Sequence, residues 1–320
     1  MKKQNYELKS EKIKNKFKEL KEKNPEQIKE DIKLSFSIWM FGSESLDQSF
    51  KRLNQAGYNY VELAGNHYLK EFGSDYQQVK ELLEKYELKV SGSCGLYSAE
   101  VDLSSDSPYT RKNAVDYIKN EVEFLEKVGG SYLILVPSAV GASGAFDENA
   151  YLRSIETAKT AAQAVKDSPV RIAVEPIRSA EVNLINTVAK ALDYLEKIDD
   201  SSIQHINGDI FHMLNEEEHL GEAILTADDK LVNLHLADSN RGAIGKGMTD
   251  IDLVISALYL IGYNQGNKFV TGEPLGVGGD PYSLMNQKGN QEKYDFLVKQ
   301  TKDYFRAREK ELKKTEGVRA

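Results

Sequence analysis

Beyond residue 33, short apolar runs alternate with longer stretches in which apolar residues recur at i, i+3, i+4 and i+7. The runs are KLSFSIW (33–39), YNYVELA (58–64), LKVSGSC (88–94), SYLILVP (131–137), VRIAVEPI (170–177), SIQHINGD (202–209), KLVNLHLA (230–237) and NKFVTGE (267–273). Runs of this kind read as buried strands, and the stretches between them, such as LDQSFKRLNQAG and TVAKALDYLEKI, read as amphipathic helices. Gly57, Gly129 and Gly262 stand where helices should stop. Strands alternating with helices predict a parallel sheet with helical crossovers, and eight strands are the number that closes a (β/α)8 TIM barrel. A doubly wound open sheet is the structural alternative, but no G-x-G-x-x-G follows the first run.

The first 33 residues have a different character. They carry eleven lysines against seven acidic residues and no glycine. Ile13, Phe17 and Leu20 fall at helical spacing, which predicts an amphipathic helix that packs on the body. A solvated tail or partner-docking arm is the competing reading. The expected organisation is a charged helical extension over 1–32, then a single barrel with a C-terminal helix over 33–320.

Composition narrows the classes. With 40% apolar and 29% charged residues, the chain reads as a soluble globular protein. A net charge of −8 argues against nonspecific nucleic-acid binding. Cys94 is the only cysteine, so no disulfide can form within the chain, and a cytoplasmic setting is expected. No apolar run reaches the roughly 18 residues of a membrane span, and the N-terminus is too charged for a signal peptide.

In such a barrel the chemistry sits at the C-terminal ends of the strands. The fifth run ends in Glu175, the sixth in Asp209, the seventh carries His235 and the eighth ends in Glu273. Each has an ordinary structural use on its own, since a glutamate before proline caps helices and a strand histidine is usually a hydrogen-bonded core residue. Four ligand-type residues at four successive strand ends instead argue for one metal site. Three carboxylates and an imidazole suit Mn²⁺, Co²⁺, Mg²⁺ or Fe²⁺ better than a thiolate-seeking ion. Glu181, His212 and Arg241 follow in loops above the rim, where they are candidates to hold the oxygens of a polyol.

VEPI with Glu181 six residues on, GDIFHM and HLADSNRGAIGKGMTD together resemble the xylose isomerase-like TIM-barrel superfamily, and within it the ketose 3-epimerases. The resemblance runs from about residue 33 to 275 and is densest over 170–275. It implies that Glu175, Asp209, His235 and Glu273 hold one Mn²⁺, with Co²⁺ or Mg²⁺ as alternatives. It also implies that Glu175 and Glu273 are the acid/base pair on either face of the substrate C3, working through a cis-enediolate. Glu181, His212 and Arg241 are then the residues that bind the ketose oxygens. Relatives suggest a homo-oligomer.

The extension before residue 33, the inserted YNQGN and the glycine-rich EPLGVGGDPYSLMNQ depart from the epimerase pattern. The C-terminal part also resembles the metal-binding barrel subunit of C-glycoside deglycosidases. That leaves a lyase acting on 3-keto C-glycosides, with a small partner subunit, as the principal alternative. Inosose dehydration, hydroxypyruvate isomerisation and a non-catalytic sugar-binding barrel complete the field.

Further candidates are single residues. Trp39 and Phe41, after the first run, are placed to wall the sugar. Glu62 and His67, in VELAGNH, are placed to touch it. Cys94 reads as a small buried residue rather than a nucleophile, for want of a paired base. Lys246, alone in its glycine-rich loop, is weak evidence for a phosphate site.

Overall fold

A computed structural model describes residues 3–65, 75–279 and 289–314. Eight strands form one sheet: β1 (Leu34–Phe36), β2 (Tyr60–Ala64), β3 (Lys89–Cys94), β4 (Tyr132–Leu135), β5 (Arg171–Val174), β6 (Ile203–Asp209), β7 (Leu231–Leu236) and β8 (Phe269–Gly272). All pair in parallel in the order β1-β8-β7-β6-β5-β4-β3-β2. The two edge strands meet through a single parallel bridge between Ser37 and Glu62, which completes a (β/α)8 TIM barrel. Each strand lies inside the apolar run that predicted it. Parallel strands covered on both faces need apolar residues throughout, which is why these runs stand out in the sequence.

Ten α-helices are described: α1 (Asn5–Lys23), α2 (Leu46–Gln55), α3 (Tyr76–Lys85), α4 (Pro108–Val128), α5 (Glu148–Ala164), α6 (Val188–Ile198), α7 (Ile210–Glu216), α8 (Leu220–Ala227), α9 (Ile251–Leu260) and α10 (Gln291–Lys313). Most start at side-chain caps. Ser45, Ser107, Asp147, Thr187 and Asn290 each accept a hydrogen bond from a backbone N–H of the first turn. Gly129, with φ 77°, ends α4 in the left-handed conformation that glycine adopts without strain. None of the described helices is long and apolar enough to cross a membrane.

The lysine-rich N-terminus does form a helix, and it is docked. Ile13 and Phe17 on α1 are buried, with the Phe17 ring 5.7 Å from that of Tyr259 on α9. Lys14 pairs with Asp250 and Lys9 with Glu222, each at 2.7 Å, and Ser10 Oγ lies 3.0 Å from His219 Nε2. The apolar stripe drives the docking, worth about 1.5–3 kcal/mol for each buried Ile or Phe, and the half-exposed ion pairs add little. At the other end, α10 returns over the N-terminal segment, where Glu309 accepts from Ile32 N at 2.9 Å and from the Tyr259 hydroxyl at 2.8 Å.

Two apolar layers result. A large one joins the outer faces of the strands to the helices. A small one, made of Cys94, Tyr132, Ile134, Ala173, Val232 and Phe269, fills part of the barrel interior. The rest of the interior is polar, and it supports the site.

Candidate metal and sugar site

Glu175 and Glu273 stand one residue past the ends of β5 and β8. Each is tied to the neighbouring strand by its backbone, Glu175 N donating to Leu135 O at 2.9 Å and Glu273 N to Leu236 O at 3.0 Å. Asp209 ends β6 and caps α7, its Oδ1 accepting from Phe211 N at 2.7 Å. His235 lies on β7 opposite Asp209 in the parallel register. The structure brings all four together. Ligand atoms of Glu175, Asp209 and His235 lie within 4.8 Å of one another. His235 Nδ1 is 3.3 Å from Glu273 Oε1 and 3.6 Å from Glu175 Oε1. All four are buried, at 5% relative exposure or less.

Burial, reinforced by Asp209, Glu175 and Glu62, pushes the Glu273 carboxyl up to about 8, although His235 pulls the other way. His235 is raised above the usual imidazole range: burial opposes this, but Glu273 and Glu62 hold a proton on the ring. Burial also works against Asp209, yet His212, His235 and Arg241 bring it below the usual carboxylate range. Carboxylates packed around one imidazole carry more buried negative charge than the protein compensates, and a divalent cation answers that demand. The donor set, three carboxylates and one imidazole nitrogen, therefore fits an oxygen-preferring divalent ion.

Glu181 and Arg241 lie in loops as expected, whereas His212 stands in the first turn of α7, and the three gather at one side of this pocket. His212 Nε2 is 3.5 Å from Asp209 Oδ2, and its buried Nδ1 has no hydrogen-bond partner among the described residues. Glu181 Oε1 accepts from Arg178 Nε at 2.6 Å and lies 3.6 Å from Arg241 Nη1. Both guanidiniums sit over the Phe211 ring, at 4.9 Å for Arg178 and 4.7 Å for Arg241. Arg241 adopts φ 59°, an uncommon conformation for a residue with a Cβ, held by its N–H on Asp238 O at 2.7 Å. Asp238 organises the whole glycine-rich loop. Its carboxylate accepts from Lys246 N, Gly247 N and Thr249 N at 2.8–3.0 Å, and a Cβ on Gly247 would meet Asp238 Oδ1 at 2.4 Å.

The family model described as xylose isomerase-like TIM barrel matches residues 50–271. The chain belongs to this family. It is 29% identical over 233 residues to a ketose 3-epimerase from Arthrobacter globiformis, covering 71% of this chain and 78% of that protein. It is 26% identical to a 3-dehydro-D-guloside 4-epimerase from Escherichia coli, over 71% of this chain and 87% of the relative. The crystal structure of D-psicose 3-epimerase with D-tagatose from Clostridium cellulolyticum superimposes with a TM-score of 0.75 at 23% identity, over 86% of this chain and 99% of that one. The last comparison establishes the shared fold.

Against this xylose isomerase-like framework the other candidates sort themselves. Trp39, half-buried, donates its Nε1–H to Glu273 Oε1 at 2.5 Å, which places it in the pocket wall. Phe41 does not line the pocket as expected. It is buried against Phe36 and Tyr294, at 5.7 and 5.0 Å between ring centroids, under the Arg52 guanidinium. Glu62, expected at the end of the second strand in reach of the sugar, lies deeper than that. It is fully buried inside the barrel with its carboxylate on His235. His67 lies outside the described residues. Cys94 is buried beside Glu62 and Glu273, and burial together with these carboxylates keeps its thiol protonated. Lys246 is exposed, its Nζ 5.9 Å from the Phe296 ring centre. The sequence reading overlooked Asn207, Asn233, Tyr132 and Thr271. Each is a polar residue in mid-strand where an apolar one would serve a simple core, and that is the signal that could have found them.

Proposed function

We propose that the chain is a divalent-metal-dependent sugar epimerase that inverts C3 of an unphosphorylated ketose. The observation that carries this reading is the convergence of Glu175, Asp209, His235 and Glu273 in one buried pocket. Kinship with curated sugar epimerases supports it. Those four residues would hold the ion, with Mn²⁺ favoured over Co²⁺ or Mg²⁺. Bound there, it supplies Lewis acidity that polarises the substrate carbonyl and acidifies the neighbouring C–H.

The chain's own groups do the rest. Glu175 and Glu273 flank the same imidazole nitrogen, so both carboxylates face one small volume. One removes the C3 proton and the other returns a proton to the opposite face. The Trp39 indole holds Glu273 in place by its hydrogen bond. Arg241 is the donor and Glu181 the acceptor for the sugar's oxygens, and His212 offers a nitrogen with no other partner among the described residues.

The test is deuterium incorporation from heavy water into free ketoses, with added Mn²⁺. Label at C3 together with the C3 epimer is the expected result, and no exchange in any ketose would sink the proposal. The E. coli relative favours a second reading, proton exchange beside the keto group of a 3-keto glycoside. Label in that substrate alone would select it, and release of the aglycone would select a lyase.

A further inference from the structure

Among the described residues, Glu62 is the one carboxylate near the site that sits beneath it. It lies on β2, is fully buried, and faces the opposite nitrogen of His235 from the other carboxylates. Its Oε1 and Oε2 are 2.9 and 3.1 Å from His235 Nε2. Oε2 also accepts from the Tyr132 hydroxyl at 2.7 Å and from Asn233 Nδ2 at 3.3 Å.

The hydrogen-bond directions around the ring are determined from outside it. The Thr271 hydroxyl donates to Asn233 Oδ1 at 2.7 Å, which fixes the Asn233 amide with its nitrogen toward Asn207 and Glu62. Asn233 Nδ2 donates to Asn207 Oδ1 at 2.9 Å, so Asn207 must present its own Nδ2 to His235 Nδ1, at 3.4 Å. A carboxylate that can only accept stands at Nε2, whereas Nδ1 faces an amide nitrogen that can only donate together with the Glu273 and Glu175 carboxylates at 3.3 and 3.6 Å. With the Glu175 and Glu273 carboxylates given over to the ion, the neutral ring that suits both Glu62 and Asn207 carries its hydrogen on Nε2 and its lone pair on Nδ1.

We propose that Glu62 is a positioning residue: from within the barrel it holds the Nε2–H of His235 and so aims the Nδ1 lone pair at the pocket formed by Glu175, Asp209 and Glu273. This rests on the metal-site reading above. It goes beyond that reading by assigning the nitrogen that binds the ion and the group that enforces the choice. A carboxylate behind a metal-binding imidazole fixes the ring and raises its basicity, and losing such a partner typically costs about 10–100-fold in metal affinity.

Two measurements test it. Isothermal titration of the metal-free protein with Mn²⁺ should show Glu62→Gln binding about 10–100-fold more weakly than wild type. Glutamine keeps an acceptor for Nε2–H and nearly the same volume, and circular dichroism checks that the fold survives. Equal affinity within about twofold would overturn the proposal. Nitrogen-15 NMR of histidine-labelled wild type saturated with Mg²⁺ needs no variant: it should show a hydrogen retained on Nε2 of His235. A hydrogen on Nδ1, or metal ligation through Nε2, would overturn it even if Glu62→Gln failed to fold. Wild type that binds neither ion sinks the metal-site reading itself, whereas wild type that binds while Glu62→Gln binds equally sinks only the role of Glu62.

Discussion

Glu121 is a buried carboxyl that the proposed chemistry does not use, and replacing it with glutamine isolates the cost of charge behind the barrel wall. It sits on α4 against β3 at 1% exposure, with the Ser93 hydroxyl donating to Oε2 at 3.3 Å and no partner for Oε1 among the described residues. Burial pushes its carboxyl from the ordinary 4.5 up to about 8, against a weaker opposing pull from Ser93. Below about pH 4.5 the folded and unfolded chains both hold the proton, and the residue contributes no pH dependence. Between the two values unfolding releases a proton, so each pH unit lowers stability by up to about 1.4 kcal/mol. Above about pH 8 the penalty is complete, at roughly 3–5 kcal/mol.

A glutamine resembles the protonated acid in shape and hydrogen-bonding capacity and does not titrate. Urea unfolding of wild type and Glu121→Gln should therefore give nearly coincident free energies at about pH 5, and a variant more stable by roughly 3–5 kcal/mol at about pH 8. Taking the difference between the two proteins cancels every other titrating group. A difference that does not change with pH, or a variant less stable at about pH 8, would refute the reasoning. Glu121 pairs with Ser93, on the helix side of β3, so turnover of the folded variant should match wild type.

Glu175→Gln and Glu273→Gln should each lower deuterium exchange by about 10²–10⁴-fold, the usual contribution of a general acid or base; activity within tenfold of wild type in either would remove the two-base mechanism. Trp39→Phe deletes the indole N–H that donates to Glu273 and keeps an aromatic, though smaller, ring. A bond to a charged group is worth about 1.5–3 kcal/mol, and partial exposure trims this to about a tenfold fall in kcat, with KM little changed. An unaltered kcat would show that Glu273 is oriented without it. Phe17→Ala should cost about 3 kcal/mol in urea unfolding, as expected for an emptied core position, and leave kcat intact. An unchanged unfolding midpoint would mean that α1 contributes nothing to the folded body.

The barrel and its rim were legible in the sequence for one physical reason. Parallel strands covered on both faces must be apolar, so Glu175, Asp209, His235 and Glu273 stand out against the runs that carry them. Glu62 was expected at the end of β2, in reach of the sugar. Its inward direction was legible, because alternation sends it to the face opposite Val61 and Leu63. That His235 and Tyr132 meet it inside the barrel is decided by β7 and β4, which VELA does not disclose. Phe41 was assigned to the pocket by its closeness in sequence to Trp39, yet its position is decided by Arg52 on α2 and by Tyr294 on the distant α10. The packing of α1 was half legible: Ile13 and Phe17 announced an apolar face, but only α9 and Tyr259 show what that face covers.

The polar residues inside the barrel explain how an acidic pocket can be held in one shape. Ser35 and Ser91 are 2.7 Å apart, and Ser91 lies 3.4 Å from the Tyr132 hydroxyl. Tyr132 reaches Glu62 and Thr271, Thr271 reaches Asn233, and Asn233 reaches both Asn207 and Glu62. One connected network thus takes a side chain from seven of the eight strands, with β5 contributing the apolar Ala173 instead. Each member satisfies its neighbour, which a buried polar group requires if it is not to destabilise the fold. Because the network closes on Nε2 of His235, rotating that ring would break contacts to Glu62 and so disturb several strands together. The barrel as a whole therefore supplies the rigidity that the His235 ring would need as a metal ligand, while Glu181, His212 and Arg241 stand beside it on the rim.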